Sequence, residues 1–198
     1  MPRNPALRDH VATAILEVAA RTLAERGDAA SLGEIAEAAG VARSTLYRYF
    51  PSRDALLAAL AETAGQEVAA RVEEAQLDGL PVPEALARVT RGLIATGGKY
   101  VALASLWPKP AEVADQPASD QPDAARQIRG PLLGLLRRGA ADGTLRGDIP
   151  AETLLVMYGD LIEGAIRRAA GDRAAVEPAS AAIVSVFLDG AAARLHGA

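Results

Sequence analysis

The sequence contains no cysteine, which excludes disulfide frameworks, thiolate zinc sites and cysteine nucleophiles together. Lysine is nearly absent as well: Lys99 and Lys109 are the only two, and arginine supplies the rest of the positive charge. Aromatic residues make up 4% of the chain, with one tryptophan, so Ala, Leu and Val must fill most of any core. The two histidines, His10 and His196, lie near opposite ends. No run approaches the roughly 20 apolar residues of a membrane span, so no membrane partner is expected. The first apolar segment, residues 11–16, is interrupted by Thr13 and closed by Glu17, unlike the core of a secretory signal. The expectation is a soluble, cytoplasmic protein.

What is present points to a globular chain. Of 198 residues, 50% are hydrophobic and 23% charged, outside the range of intrinsic disorder. The length allows one or two domains at about 150 residues each. The formal charge is −4, so no global positive field draws the protein to nucleic acid, and any such affinity must come from a local patch. There is no His-Glu-x-x-His, no Gly-x-Ser-x-Gly, no phosphate-binding loop and no Glu-x-x-His. No catalytic residue, metal ligand or cofactor is therefore assigned.

Strand signals are scarce and helical periodicity is common. The spacing predicts an all-α fold of about nine helices. The first covers residues 8–26, with Val11, Ile15, Val18, Ala19 and Leu23 on one stripe and Gly27 at its end. Ser31-Leu32-Gly33-Glu34 has the form of a capping box and opens a short helix, residues 32–39, that carries Ile35 and Ala36 inward and stops at Gly40. A third helix spans residues 43–49. Pro51-Ser52 breaks the chain and starts a fourth helix that runs to about residue 77, with Leu56, Leu57, Leu60, Val68 and Val72 apolar. Further helices are placed at 83–96, 99–107, 123–141, 150–170 and 177–196. Residues 108–122, with four prolines and no base after Lys109, read as a loop. Composition changes near residue 53, which suggests domains at 1–53 and 54–198.

Two short helices joined by a tight glycine turn form a helix-turn-helix. The turn needs a residue that tolerates positive φ, which Gly40 supplies. The second helix must show small or hydrogen-bonding side chains near its start, and Arg43, Ser44 and Thr45 do so. Leu46 and Phe50, four apart, turn to the core, which leaves Tyr47 and Arg48 outward, Tyr47 on the face of Ser44. Residues 43–53 hold three arginines and no acid.

Ile15-Leu16-Glu17-Val18-Ala19-Ala20, Leu23, Gly27, Ser31-Leu32-Gly33-Glu34-Ile35-Ala36, Ala39-Gly40-Val41, Thr45-Leu46-Tyr47-Arg48-Tyr49-Phe50-Pro51-Ser52-Arg53 and Leu56-Leu57 together resemble the TetR-type (TetR/AcrR) transcriptional regulators. The resemblance covers about residues 10–60. It implies an N-terminal three-helix DNA-binding domain, a helical ligand-binding and dimerisation domain, and a homodimer on a palindromic or near-palindromic double-stranded DNA operator. It also implies phosphate contacts at Tyr47, Tyr49 and Arg53, with groove and backbone contacts around Arg43, Ser44, Thr45 and Arg48. Leu23, Asp28 and Arg53 depart from the usual family residues, Leu23 standing for a Phe and Arg53 for a Lys, with burial and charge preserved. The implied function is a repressor released from its operator by a small molecule. The alternatives are an effector-independent architectural DNA-binding protein and a helical small-molecule-binding enzyme.

Past residue 60 the resemblance fades. Apolar stripes through Leu155, Tyr158, Ile162 and Ile166, and through Ile183, Phe187, Ala191 and Leu195, suggest a four-helix dimer interface, with an internal core as the alternative. Gly159, Gly164 and Gly190 would allow close approach there. A ligand pocket needs apolar walls with few polar groups. Tyr100, Leu103, Trp107, Leu133, Leu136, Met157 and Leu161 are candidate walls, with Asp160 or Glu163 as anchors, although each is equally plausible as core. The absence of a basic anchor favours an apolar or cationic effector.

Overall fold

The structure, a computed structural model, describes residues 5–106, 111–112, 116–117, 120–170 and 172–191. Eight α-helices and short three-ten turns account for most of them, with no strand among the described residues. In chain order these are α1 (Pro5–Arg26), α2 (Leu32–Ala38), α3 (Arg43–Tyr49), α4 (Arg53–Glu74), α5 (Val82–Lys99), α6 (Asp123–Ala141), α7 (Ala151–Ala169) and α8 (Val176–Ala191). The fold is all-α, as the periodicity predicts.

Two compact units emerge: Met1–Thr63 with Lys99–Trp107, and Ala64–Gly98 with Pro108–Ala198. The compositional change at residue 53 falls at the start of α4. The units divide ten residues later, after Thr63, because Leu56 and Leu60 on the first turns of α4 are buried in the first unit. Its other buried apolar residues include Ile15, Ala19 and Leu23 of α1, Ile35 and Ala36 of α2, Leu46 of α3, Phe50, and Tyr100 and Leu103 after α5.

The second unit closes around Leu86, Val89 and Ile94 of α5, Leu132, Leu135 and Leu136 of α6, Tyr158 and Ile162 of α7, and Phe187 of α8. One polar pair lies inside it. The Thr90 hydroxyl donates to the Leu86 carbonyl at 2.6 Å and lies 2.7 Å from the Tyr158 hydroxyl. Thr90 has one proton to give, so the Tyr158 O–H must donate to Thr90 Oγ1. Burial pushes the Tyr158 phenol pKa well up. At the edge of the unit, Arg138 Nη2 donates to the carbonyls of Leu77 (2.7 Å) and Leu80 (3.0 Å), which holds the α4–α5 connection.

Two expectations change. The helix expected at 99–107 is absent as an α-helix: α5 continues through Gly97 and Gly98 to Lys99, and three-ten turns follow at Val101–Leu106. Gly97 does not stop the helix because its missing side chain is used. Ile166 of α7 fills the space, with Cδ1 2.3 Å from where a Cβ would stand. The apolar stripes of the last two helices also face inward: Tyr158, Ile162, Phe187 and Ala191 belong to the core of this unit, so they are internal packing. Met157 and Val186, beside the buried stripes, are the large hydrophobics exposed among the described residues of these helices, at 51% and 60%. Leu195 and His196 lie outside the described residues, as do residues 108–110, 113–115 and 118–119 of the proline-rich stretch.

Candidate nucleic-acid interface

Local chemistry fixes α2 at both ends. Ser31 is the N-cap: its hydroxyl accepts from the Glu34 N–H at 3.2 Å, and Glu34 Oε2 accepts from the Ser31 N–H at 2.9 Å. The predicted capping box is present, and Arg26 adds an ion pair to Glu34. The hydrogen bonds from the Ser31 backbone and hydroxyl, with Arg26 behind them, hold the Glu34 carboxyl below the usual range. At the other end the Val41 N–H reaches the Ala36 carbonyl and the Gly40 N–H reaches Glu37, both at 3.0 Å. That is a Schellman ending, with Gly40 in the left-handed region at φ +66°. The turn therefore aims α3 by a backbone conformation that glycine adopts at no steric cost.

α3 runs Arg43–Tyr49, so positions four apart share a face. Leu46 and Phe50 are buried beneath it. Arg43, Ser44, Tyr47 and Arg48 are exposed, and Thr45 and Tyr49 are half-buried. Tyr47 is the one large hydrophobic residue exposed among those described in the first unit, at 49%. The Arg48 guanidinium sits 5.3 Å from the Tyr49 ring centroid, a cation–π distance, and the Tyr49 ring is 6.4 Å from that of Phe50. An anchored aromatic thus steadies a surface arginine. Six of the seven residues expected at DNA are brought together on α3, its buried edge excepted.

Arg53 behaves differently. It is half-buried, its Nη1 donates to the Ala30 carbonyl, and its Nη2 is enclosed. Ala30 immediately precedes the N-cap of α2, so Arg53 ties the start of α4 to the start of α2. Sequence reasoning missed this link because a backbone carbonyl carries no residue-type signal.

The expected ligand walls are dispersed. Tyr100 and Leu103 are buried in the first unit, whereas Leu133 and Leu136 are buried in the second. Leu161 is half-buried against the second core, and Asp160 and Met157 are exposed on α7. Glu163 pairs with Arg167 one turn along the same helix. Trp107 lies outside the described residues. The second unit instead shows two open clefts that none of these residues line. One, of about 420 Å³, lies beside Gln76, Leu80 and Arg88. The other, of about 280 Å³, lies between Arg91 on α5 and Glu177, Ser180 and Val184 on α8. No cluster of three His, Asp or Glu residues among those described could hold a metal, and no described helix is long and apolar enough to cross a membrane.

Residues 15–60 match the family model for bacterial regulatory proteins of the tetR family. The chain is 43% identical over 90 residues to the HTH-type transcriptional repressor LfrR of Mycolicibacterium smegmatis, a match that spans 46% of this chain and 47%, about half, of LfrR. It is 27% identical over 184 residues to the HTH-type transcriptional repressor KstR2 of Rhodococcus jostii, covering 91% of this chain and 90% of KstR2. Among solved structures, LfrR of Mycobacterium smegmatis in complex with proflavine superimposes with a TM-score of 0.71 at 28% identity, over 93% of this chain and 97% of that one. The matched stretch contains the capping box, the Gly40 turn and α3, and the helical unit that follows is shared with LfrR as a fold. On these grounds residues 15–60 form a DNA-binding domain of the bacterial TetR regulator family, and the chain as a whole shares the fold of the TetR-like regulator LfrR.

Proposed function

We propose that the protein is a transcriptional repressor that binds a palindromic or near-palindromic operator as a homodimer and leaves it when a small molecule occupies the second unit. The observation that carries the reading is the division of α3: Leu46 and Phe50 are buried, and Arg43, Ser44, Tyr47 and Arg48 are exposed on the opposite side. A short helix with one buried edge and a face of arginine, serine and tyrosine suits the major groove. Arg43 and Arg48 are the candidates for guanine N7/O6, since the guanidinium fork matches that edge. Ser44, Thr45, Tyr47 and Tyr49 hold phosphates or nearby edges. Arg53, turned to the Ala30 carbonyl, braces the start of α2.

The exposed faces of α7 and α8 join two copies. Met157 and Val186 supply apolar area, and Gly164 and Gly190, whose added Cβ atoms would meet nothing within 4 Å, permit close approach. The two operator half-sites lie on one side of the duplex, about 34–36 Å apart for successive major grooves. An effector that prefers a different spacing then shifts the population away from the bound form, with a coupling of about 1–3 kcal/mol. Leu133, Leu136 and Leu161 remain the candidate walls, with Asp160 and Glu163 near the rim. LfrR in complex with proflavine supports an apolar or cationic effector. The protein acts in the cytoplasm, as a regulator and not an enzyme.

Fluorescence anisotropy with fragments flanking the protein's own gene, at two salt concentrations, tests the reading. Tight binding to one fragment, weakened by salt, by Tyr47→Phe and by Arg48→Ala, is expected. Equal weak binding to every fragment, unmoved by either substitution, refutes it. Proflavine is titrated against the protein without DNA, because the dye itself binds duplexes; failure to bind at millimolar protein removes it as a model effector.

A further inference from the structure

Gly33 stands at the second position of α2 in ordinary helical conformation, where alanine is the better helix former. The reason for glycine lies in Arg43. A Cβ built on Gly33 would sit 3.1 Å from Arg43 Nη2, 3.2 Å from Cζ and 3.2 Å from Nε. A point nearly equidistant from three atoms of a planar group, at more than twice their bond length, lies above the plane and not at its edge. The Arg43 guanidinium is therefore laid flat on the backbone of α2, with its N–H edges pointing sideways along the surface. Gly40 and the capping box fix α2 against α3, so the plane of Arg43 is set by the scaffold before any ligand arrives.

We propose that Gly33 is a specificity-determining residue: by leaving its Cα bare it seats the Arg43 guanidinium on α2 and fixes the direction in which that fork meets a base pair. This rests on the reading that α3 enters the major groove. Pre-organisation of this kind removes rotamer entropy that binding would otherwise cost, and bidentate recognition depends on the plane of the fork. A methyl at position 33 presses on the far end of a flexible side chain, so Arg43 swings away while the helix stays intact.

The test uses duplexes selected by the wild-type protein from a random-sequence pool, and every single base-pair variant of the selected site. Gly33→Ala is expected to keep or raise Tm and to change discrimination at one position per half-site by fivefold or more. In an Arg43→Ala background the same substitution is expected to change nothing beyond twofold. Arg43→Lys, whose ammonium has no flat face to seat, should lose discrimination at that same position without any change at residue 33. An unaltered base preference in Gly33→Ala overturns the proposal, as does an equal effect with and without the Arg43 side chain. A wild-type protein that selects no sequence overturns the DNA-binding reading itself, which is a separate result.

Discussion

The buried hydroxyl pair in the second unit makes an asymmetric prediction. Thr90 and Tyr158 are 0% and 2% exposed, and the direction of donation is set: Tyr158 gives its proton to Thr90, and Thr90 gives its own to Leu86. Thr90→Val keeps the shape and leaves the Tyr158 O–H with no acceptor in an apolar core. Stranding a buried donor costs about 1–3 kcal/mol. Tyr158→Phe removes the donor itself; the Thr90 proton still has Leu86, so the loss is one net hydrogen bond, about 0.5–1.5 kcal/mol. The double variant strands nothing and should be no less stable than Thr90→Val alone. Urea unfolding at fixed protein concentration reads all four, and thermal unfolding should show about 2–4 °C per kcal/mol for a chain of this size. The same pair predicts a pH limb. The folded pKa of Tyr158 is raised by burial, so this tyrosine's contribution is complete below about pH 10, the unfolded value. Above it the unfolded state loses a proton that the folded state keeps, and stability falls by up to about 1.4 kcal/mol per pH unit relative to Tyr158→Phe. A Tyr158→Phe cost larger than that of Thr90→Val, or strictly additive losses in the double variant, would refute the assigned donation.

Gly97→Ala puts a methyl 2.3 Å from Ile166 Cδ1, and overpacking of this kind costs about 1–3 kcal/mol; Ile166→Val, which deletes that atom, should restore part of the loss in the double variant's urea midpoint. Ser31→Ala removes the N-cap of α2 and should lower stability by about 0.5–2 kcal/mol. Because the Glu34 pKa is lowered in the folded state, the contribution of that carboxylate is present above its unfolded pKa and fades as pH falls through the folded value. A wild-type acid limb that survives unchanged in Glu34→Gln would contradict this. Arg53→Ala should weaken operator binding without changing the slope of log K against log salt. A slope smaller by about 0.9 per subunit would instead identify Arg53 as a phosphate contact. Tyr47→Phe should weaken binding to every selected duplex alike, since a phosphate contact carries no sequence information; loss confined to one base position would contradict that role.

Local signals carried the first sixty residues. The capping box at Ser31 and Glu34, the positive φ at Gly40 and the inward pair Leu46 and Phe50 depend on neighbours within five positions, and each is found where the spacing places it. The boundaries of α3 and α6 follow for the same reason. The helix expected at 83–96 runs on to Lys99, because Gly97 serves a close approach of Ile166 that lies 69 positions away and leaves no trace in the local pattern.

Sequence alone therefore determined the helical class, the helix-turn-helix and the residues displayed by α3, because 3.6-residue periodicity, caps and turns are short-range. Tertiary structure alone decided that the apolar stripes of α7 and α8 pack into the core of their own unit, since a core stripe and a dimer seam have the same periodicity. It also decided that Tyr100 and Leu103 belong to the first unit, that Arg53 turns to the Ala30 carbonyl, and that Arg43 lies on Gly33. Those are contacts between residues far apart in the sequence or with backbone atoms, where no pattern of side chains along the chain records which surfaces meet.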